Sequence, residues 1–595
     1  MVKSFTQSLC LFALILLSAS GFAQSVPVGT PFFDEALRRG QLLGRLNPNV
    51  SFTLRPIDGV RAMGMYNTHG RDTNYLPLDT NNYNTNLDFR YRIALDTLVM
   101  DPFEIEVSKG KVEDGDPGNI RVSLLPIYTH TRYNAHHPYG WSDGPMVPSR
   151  GFQQYMSFGA FAKVGFLEMQ LRPEFVFAEN RPFQNPPIRY QRIDMPERMG
   201  QDPYSAAHWG QSYIKAHFGP IAAGISTENI WWGPGRRNAI IMSNNAPGFT
   251  HATIHTNRPI DIGIGTIEGQ AVGGHLRRSG FISPRRGSGG WPPIADPVVP
   301  DTINGTSPHG FFSGLSGVWQ PKWTPGLFIG GTAVSQVSGT GEVPGHLRSM
   351  YEGFARARRS DNIGQAGQSG LISLFTRYLF VESHAEVYAE IGRGDWWADF
   401  EDFWTMPMYH TTYMFGFRKM YKLSGKDKWL ELDAEVTKIT APMDNILRAA
   451  GSSMYGHSNG YGWSHRGQVL GAGIGPGSNM QTIGITHGKG FRTFGIHFER
   501  VSYNEDLFYT QLDFLNLGDG TNPFLVDFTK KFVDLGVVLS HHNNIGKLNI
   551  GARLHLLRTF NFQYVYAPDG VPDGFRFPGI NVWSANFELS LMYRF

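Results

Sequence analysis

Cysteine, charge and long apolar runs are all scarce in this sequence. Its 595 residues include one cysteine, Cys10, which lies in an N-terminal apolar segment that we expect to be removed. A mature chain without cysteine excludes disulfide bonds, thiolate catalysis and cysteine-ligated metal sites. Charged residues make up 17% of the chain and the net charge is +3, so the overall charge does not predict nucleic-acid binding.

The sequence has no apolar run of the ~18 or more residues that a membrane-spanning helix requires. Its one long run, at 9–17, follows Lys3 and precedes Gly21 and Ala23, small residues at the positions that a signal peptidase needs. Residues 1–23 are therefore predicted to be a cleaved signal peptide that routes the chain out of the cytoplasm.

Alternation of apolar and polar residues is what the sequence has instead. In 581–595, apolar side chains occupy every second position from Trp583 to Phe595, with polar residues between them and Met592 the one exception. A β-strand turns successive side chains to opposite faces, so this segment has one apolar face with aromatics at both ends. A strand of ~9–11 residues with that face is typical of a transmembrane barrel. The segment is predicted to close a barrel in the cell outer membrane.

Similar alternation recurs along the chain. It places Glu386 and Glu390 between apolar neighbours, as it does the carboxylates of 430–436, and would direct them into a barrel lumen. A hairpin is predicted around Gly165 and a turn at 541–546. With 13% aromatic residues and 70 glycines, the chain is predicted to be all-β, a large closed antiparallel transmembrane barrel at 49–595 with long extracellular loops.

A short helix is predicted before the barrel, from Pro31 to Arg45. Thr30 is a capping residue, Pro31 suits the first turn, and acidic residues precede basic ones as the helix dipole favours. We assign 24–48 to a periplasmic helical segment. It would either plug the barrel or pack against its rim.

Two stretches rich in proline and glycine, 277–310 and 350–370, are predicted to be loops and carry clustered arginines. The arginines could bind acidic sugars or the phosphates of lipopolysaccharide through charge-assisted hydrogen bonds. The alternative is ordinary solvated loop charge.

Two motifs resemble the Wzi capsule-assembly family. The first is Trp-Trp-Gly-Pro-Gly-Arg-Arg-Asn at 231–238, and the second is the glycine-rich block 455–478, which contains Tyr461, His465 and Arg466. The resemblance implies an outer-membrane lectin, an 18-stranded barrel with a helical periplasmic plug that holds capsular polysaccharide or exopolysaccharide at the cell surface without catalysis. Members of the family can carry several helices before the barrel, whereas only one segment looks helical here, so the plug would be reduced or supplied by loops.

The first motif is also a rigid turn on physical grounds, since its glycines permit unusual backbone angles and its proline fixes one. In a lectin, the turn would present Trp232 to a sugar ring and Arg236 to a uronic-acid carboxylate. Alternatively, these side chains only brace the barrel wall. The candidate polysaccharide-binding residues are Trp232, Gly233, Pro234, Gly235, Arg236, Arg237, Glu386, Glu390, Tyr461, His465 and Arg466.

Two other function classes stay open. Lumenal carboxylates could include a pair at the roughly 5–9 Å separation that glycoside hydrolysis requires, and a wide barrel could equally be a porin or solute channel. No zinc-protease, nucleophile-elbow or phosphate-loop motif occurs, and the 20 histidines are scattered, so no cofactor and no metal site are predicted. The expected partners are polysaccharide, outer-membrane lipid or lipopolysaccharide, and polysaccharide export machinery, with no nucleic acid.

Overall fold

The computed structural model describes most of the barrel and one N-terminal helix. The described residues are 28, 31–44, 47–56, 104–106, 120–183, 193–281, 308–338, 368–394, 404–405, 411–425, 428–441, 454–456, 462–506, 530–564 and 580–593. The predicted signal peptide, 1–23, lies outside them, as do most of the two arginine-rich stretches.

The helix α1 spans Pro31–Leu42, and a short 3₁₀ turn spans Phe562–Tyr564. The strands in the described part of the chain are β1 Leu54–Arg55, β2 Glu104–Glu106, β3 Ile120–Asn134, β4 Gly151–Val164, β5 Leu167–Leu171, β6 Glu174–Ala178, β7 Tyr204–His208, β8 Tyr213–Phe218, β9 Ile221–Ser226, β10 Trp231–Trp232, β11 His251–Thr256, β12 Ile260–Asp261, β13 Gly265–Arg277, β14 Pro308–Pro321, β15 Leu327–Ser338, β16 Gln368–Phe380, β17 Ala385–Gly394, β18 Thr411–Lys422, β19 Lys428–Lys438, β20 Ser464–His465, β21 Gln468–Val469, β22 Asn479–Lys489, β23 Arg492–Ser502, β24 Val533–Ile545, β25 Leu548–Phe560 and β26 Val582–Tyr593.

Within the described residues, eighteen antiparallel wall strands form a closed barrel. Neighbours in the wall follow the order of the chain, and β26 closes the sheet on β3, where Tyr593 lies opposite Ile127. β5 and β6 together make one interrupted wall strand, as do β7 and β8. The predicted fold class, an all-β antiparallel barrel of about 18 strands, is confirmed.

The two faces of the wall differ as the alternation predicted. On β26, Trp583, Phe587 and Tyr593 are 72%, 44% and 45% exposed on the outer face, while the alternate residues Ser584, Asn586, Glu588, Ser590 and Met592 are buried. Met592, the exception in the pattern, faces the lumen and packs beside Tyr128 in a buried apolar cluster. The apolar residue at a polar position is therefore explained by an internal contact.

The outer face forms an apolar belt. Side chains on this face that are more than half exposed include Ile225, Ile254, Leu374, Ile483 and Phe498. A belt of this kind on a closed sheet is the surface that lipid covers in an outer-membrane barrel. Among the described residues, no helix is both long and apolar enough to cross a membrane.

Short turns mark one end of the barrel, which is the periplasmic end in outer-membrane barrels. The predicted hairpin at Gly165 is such a turn, since Val164 pairs with Leu167. The predicted turn at 541–546 is wrong, because β24 continues its ladder to Ile545 opposite Leu548. Only two residues then turn the chain, and Gly546 adopts the left-handed backbone angle, φ 59°, that so tight a turn favours.

Helix α1 lies against the lumenal side of the wall near the periplasmic end. Leu42, its last residue, and the following Leu43 pack with Leu379, Met420 and Trp429 at the periplasmic ends of β16, β18 and β19. The helix ends at Leu42 rather than at the predicted Arg45, since the chain turns at Gly44 with φ 70°.

Two long connections fold back into the lumen. We call 227–250, between β9 and β11, the inner loop, and 462–478 the second inner loop. Both contribute to the largest apolar cluster in the described residues, which includes Trp232, Ile240 and Trp463. The inner loop also pairs with the segment after α1, where Leu54 lies opposite Trp232. The principal core of this protein is therefore inside the barrel.

Candidate functional site

Trp232, at the start of the inner loop, is fully buried. Its indole Nε1 donates to Gln270 of β13 at 2.9 Å, and its backbone N–H donates to Met242 at 3.0 Å. The ring lies 6.5 Å from that of Phe312, and a Cβ on Gly314 would come within 2.8 Å of it. The glycine at position 314 of β14 thus leaves room for the indole. This packing agrees with the interpretation in which Trp232 braces the barrel wall.

The glycines of the motif bring backbone close to the core. Gly233 has φ 118°, donates to Thr53 at 2.9 Å, and a Cβ there would lie 2.6 Å from Glu390. The carbonyl of Gly235 accepts from Arg55 at 3.3 Å. The rigid turn, which includes Pro234, therefore joins the inner loop to the segment that follows α1.

Arg236 and Arg237 lie in a charged network. Arg236 is 2.9 Å from Glu35 of α1, and Arg237 is 3.0 Å from Glu499 of β23. The backbone N–H groups of both arginines donate to Glu435 of β19, at 2.9 and 3.1 Å. One turn thus contacts the helix and two wall strands.

Glu386 and Glu390 point into the lumen, as the alternation predicted, and neither is exposed. Glu386 accepts from Arg38 of α1 and from Arg377 of β16, both at 2.7 Å. Glu390 accepts from the backbone N–H of Ile240 at 3.4 Å. These two candidate residues are engaged with the helix and the inner loop.

The network also changes the titration of groups on α1 and the inner loop. Burial would raise the pKa of Glu35, but Arg236, Arg418 and Arg39 hold that pKa well below its usual range. Burial alone would lower the pKa of Arg236. The nearby carboxylates of Glu35 and Asp433 have the larger combined effect, so the pKa of Arg236 is raised. Both groups stay charged at neutral pH.

His465 and Arg466 lie elsewhere, on the second inner loop. His465 Nδ1 accepts from the backbone N–H of Arg277, the last residue of β13, at 3.0 Å, and Arg466 donates its own N–H to Arg277 at 2.8 Å. Burial and the nearby Arg277 lower the pKa of Arg466. Tyr461 lies outside the described residues. The His465 ring lies 5.9 Å from that of Phe249 on the inner loop, and both loops share the apolar cluster that contains Trp232.

Some residues of the site were missed in the sequence. Arg38 and Arg39 of α1 contact Glu386 and Glu431 at 2.7 and 2.8 Å, yet the partners lie more than 300 positions away. Their only local signal is the polar face of an amphipathic helix. Among the described residues, no group of three or more histidines, cysteines or carboxylates could hold a metal ion.

The sequence matches the family model described as capsule assembly protein Wzi over residues 142–529. The chain belongs to this Wzi family. Its fold is similar to that of the Escherichia coli protein described as Wzi, an outer membrane protein involved in group 1 capsule assembly and a carbohydrate binding beta-barrel. The two share 9% identity with a TM-score of 0.55, over 97% of this chain and 100% of the other.

Weaker likenesses extend to other outer-membrane barrels. Acinetobacter baumannii OccAB1 has 9% identity and a TM-score of 0.36 over 82% of this chain and 99% of its own. Pseudomonas putida OprB has 11% identity and a TM-score of 0.34 over 80% and 94%. Neither carries an argument about this protein. A search of curated protein sequences found no match.

Proposed function

We propose that this outer-membrane protein is lectin-like, holds capsular polysaccharide or exopolysaccharide at the cell surface, and does so without catalysis. Its membership of the capsule-assembly family supports the proposal, as does the fold that it shares with a barrel described as carbohydrate binding. In this proposal, 1–23 are removed as a signal peptide, 24–48 plug the barrel from the periplasmic side, and 49–595 form the barrel.

The observation that carries the proposal is the way the lumen is filled. Helix α1 and the inner loop are joined across it by the contact between Glu35 and Arg236, and each is anchored to the wall, through Glu386 and Glu435. A charged lumen cross-linked in this manner favours a sealed barrel over a diffusion channel. The inner loop then supports the extracellular surface instead of leaving a path for solutes.

The lumenal carboxylates support a role without catalysis. Glu386 and Glu431 are fully buried and held by arginines, while Glu435 accepts from the turn at Arg236 and from Tyr388 at 2.7 Å. Glycoside hydrolysis needs one carboxylic acid and one carboxylate that both reach the sugar. Carboxylates committed to structural ion pairs do not fit those roles.

Two further partners belong to the proposal. Arg558 lies 5.1 Å from the Trp583 ring on the outer face toward the extracellular end, a pairing suited to contact with lipopolysaccharide phosphate. The opposite end, where α1 stops at Leu42, is the periplasmic face on which polysaccharide export machinery would dock.

A deletion strain of the source organism tests the function. We expect polymer to be made and exported but released into the medium, leaving cells bare, and expression of the intact protein to restore surface polymer. The purified barrel should also show no steady conductance in planar lipid bilayers. A deletion strain that keeps its surface polymer, or a wild-type barrel that conducts as an open pore, would contradict the proposal.

A further inference from the structure

A chamber of about 200 Å³ lies in the lumen between α1 and the segment 139–143. A second cavity of about 50 Å³ adjoins it, because both are lined by Asp143, His542, Arg553 and Glu588. An enclosed volume of about 150 Å³ is enough for a six-membered ring. The chamber is therefore large enough for one pyranose ring.

The wall of the chamber is densely charged. Seven arginines and five carboxylates line the larger cavity. Most of the arginines are already paired, but Arg553 is 40% exposed and its closest carboxylate oxygen, on Glu588, is 3.6 Å away. Glu588 itself is held by Arg132 at 3.1 Å. Of the lining arginines, Arg553 therefore has the longest ion pair and the most exposed side chain, so its guanidinium is the one best able to bind a ligand anion.

Arg237 adds a second donor. It is 22% exposed, and its Nε atom is buried without a hydrogen-bond partner among the described residues. Its terminal nitrogens contact Glu499 at 3.0 Å and Asp433 at 3.5 Å. The contacts to those two acids fix the guanidinium, so a further anion would meet a preorganised group.

One wall of the chamber is aromatic. Tyr139 and Trp141 meet edge to face with ring centroids 4.9 Å apart, and the Trp141 ring is only partly buried. Gly140 between them has φ 122°, and a Cβ there would come within 2.3 Å of the Arg132 guanidinium. This glycine lets the aromatic segment lie directly on the charged layer. Indole beside guanidinium is a combination that recognises a sugar ring carrying a carboxylate.

We propose that the chamber binds a single uronic acid residue of the polysaccharide, with Arg553 and Arg237 on its carboxylate and Trp141 on its ring. The inference rests on the proposed function, because the polymer supplies the uronic acid. It defines the ligand class as an acidic glycan, and it places one binding site inside the barrel rather than on the outer loops.

The test uses the purified full-length barrel in detergent at low ionic strength, with D-glucuronate, D-glucose and acetate as probes in calorimetry and saturation-transfer NMR. We expect glucuronate to bind, and glucose and acetate to bind at least tenfold more weakly. Arg553→Gln should weaken glucuronate binding about tenfold. Arg492→Gln is the control, since Arg492 is an exposed residue of β23 that does not line the chamber, and it should bind like the parent.

Gel mobility before and after heating confirms that each variant is folded, and Trp141→Phe, which keeps a ring, should bind more weakly without loss of folding. The proposal is overturned if the parent does not bind glucuronate, if acetate binds equally well, or if Arg553→Gln and Arg492→Gln behave alike. Surface polymer is scored separately in the deletion strain. Retention of polymer in that strain would reject the proposed function. The glucuronate measurement would still show whether the chamber binds a uronic acid.

Discussion

The inner loop and helix α1 both fill the lumen, but they are held there by different forces. The inner loop inserts Trp232, Ile240 and Ile241, all fully buried, into the main apolar cluster. Helix α1 also buries Leu37 and Leu42 in apolar clusters, but it adds buried ion pairs to the wall, Arg38 with Glu386 and Arg39 with Glu431.

The difference determines which segment solution conditions can move. Apolar packing is insensitive to pH, whereas an ion pair is lost when its carboxylate is protonated. Breaking a buried pair also leaves an uncompensated charge. We therefore expect acid to leave the inner loop in place and to release α1 while the barrel stays closed.

The largest effect is expected from Trp232→Ala, which should lower the free energy of unfolding by about 3–5 kcal/mol because it removes a fully buried indole and leaves a cavity. Urea unfolding followed by gel mobility measures this. Trp583→Ala, at a position that is 72% exposed on the outer face, is the control and should cost clearly less. Equal losses would mean that the inner loop is not part of the core.

Glu386→Gln should release α1 without unfolding the wall. The change leaves Arg38 and Arg377 without their shared carboxylate, at a cost of about 3 kcal/mol in helix docking. We expect faster proteolysis near α1 and conductance in planar bilayers. The β-sheet content measured by circular dichroism should not change. A variant that stays sealed and resistant would show that charge is not what holds the helix.

Acid should act on α1 in the same direction. The pKa of Glu35 is lowered in the folded protein, so its stabilising contribution is complete above the ordinary value of about 4.3 and is lost as pH falls through the depressed value. Conductance measured from pH 7 downward should therefore appear only below about pH 4. Glu35→Gln, which cannot ionise, should already be leaky at pH 7. Release of the helix near pH 6 would contradict this assignment.

The smallest effect is expected from Glu179→Gln. Its pair with Arg181 is 2.5 Å long, but the two side chains are 30% and 50% exposed, and such pairs contribute little. Urea unfolding and conductance should both match the parent. A clear loss would mean that exposed ion pairs matter as much as lumenal ones, and the contrast between the two inserted segments would weaken.

The wall of the barrel could be predicted from sequence because its cause is local. Alternation along β26 and β17 assigns each residue to lipid or lumen, and Glu386 and Glu390 face inward as that pattern requires. The pattern fails where polar residues occur in a run, as at His541 and His542, since alternation is then not visible. The strand continues there because its backbone pairs with β25 as far as Ile545.

The interior could be predicted only in part. The turn at Gly233 was recognisable, because glycine and proline restrict the backbone locally. Whether Trp232 faces a sugar or Gln270 depends on side chains far along the chain, and one sequence carries no signal for such pairs. The place of Tyr139 and Trp141 in the chamber wall could not be predicted from sequence for the same reason.

The contact between Arg38 and Glu386 spans 348 positions, and that between Arg39 and Glu431 spans 392. The helix precedes its anchors, which lie in the middle of the chain, and closure of the sheet requires the C-terminal strand β26 to meet β3. The arginines of α1 therefore remain without their partners until β17 and β19, which carry Glu386 and Glu431, are in place. A chain that closed before the helix entered would leave arginines and glutamates unpaired in a sealed interior, which is costly.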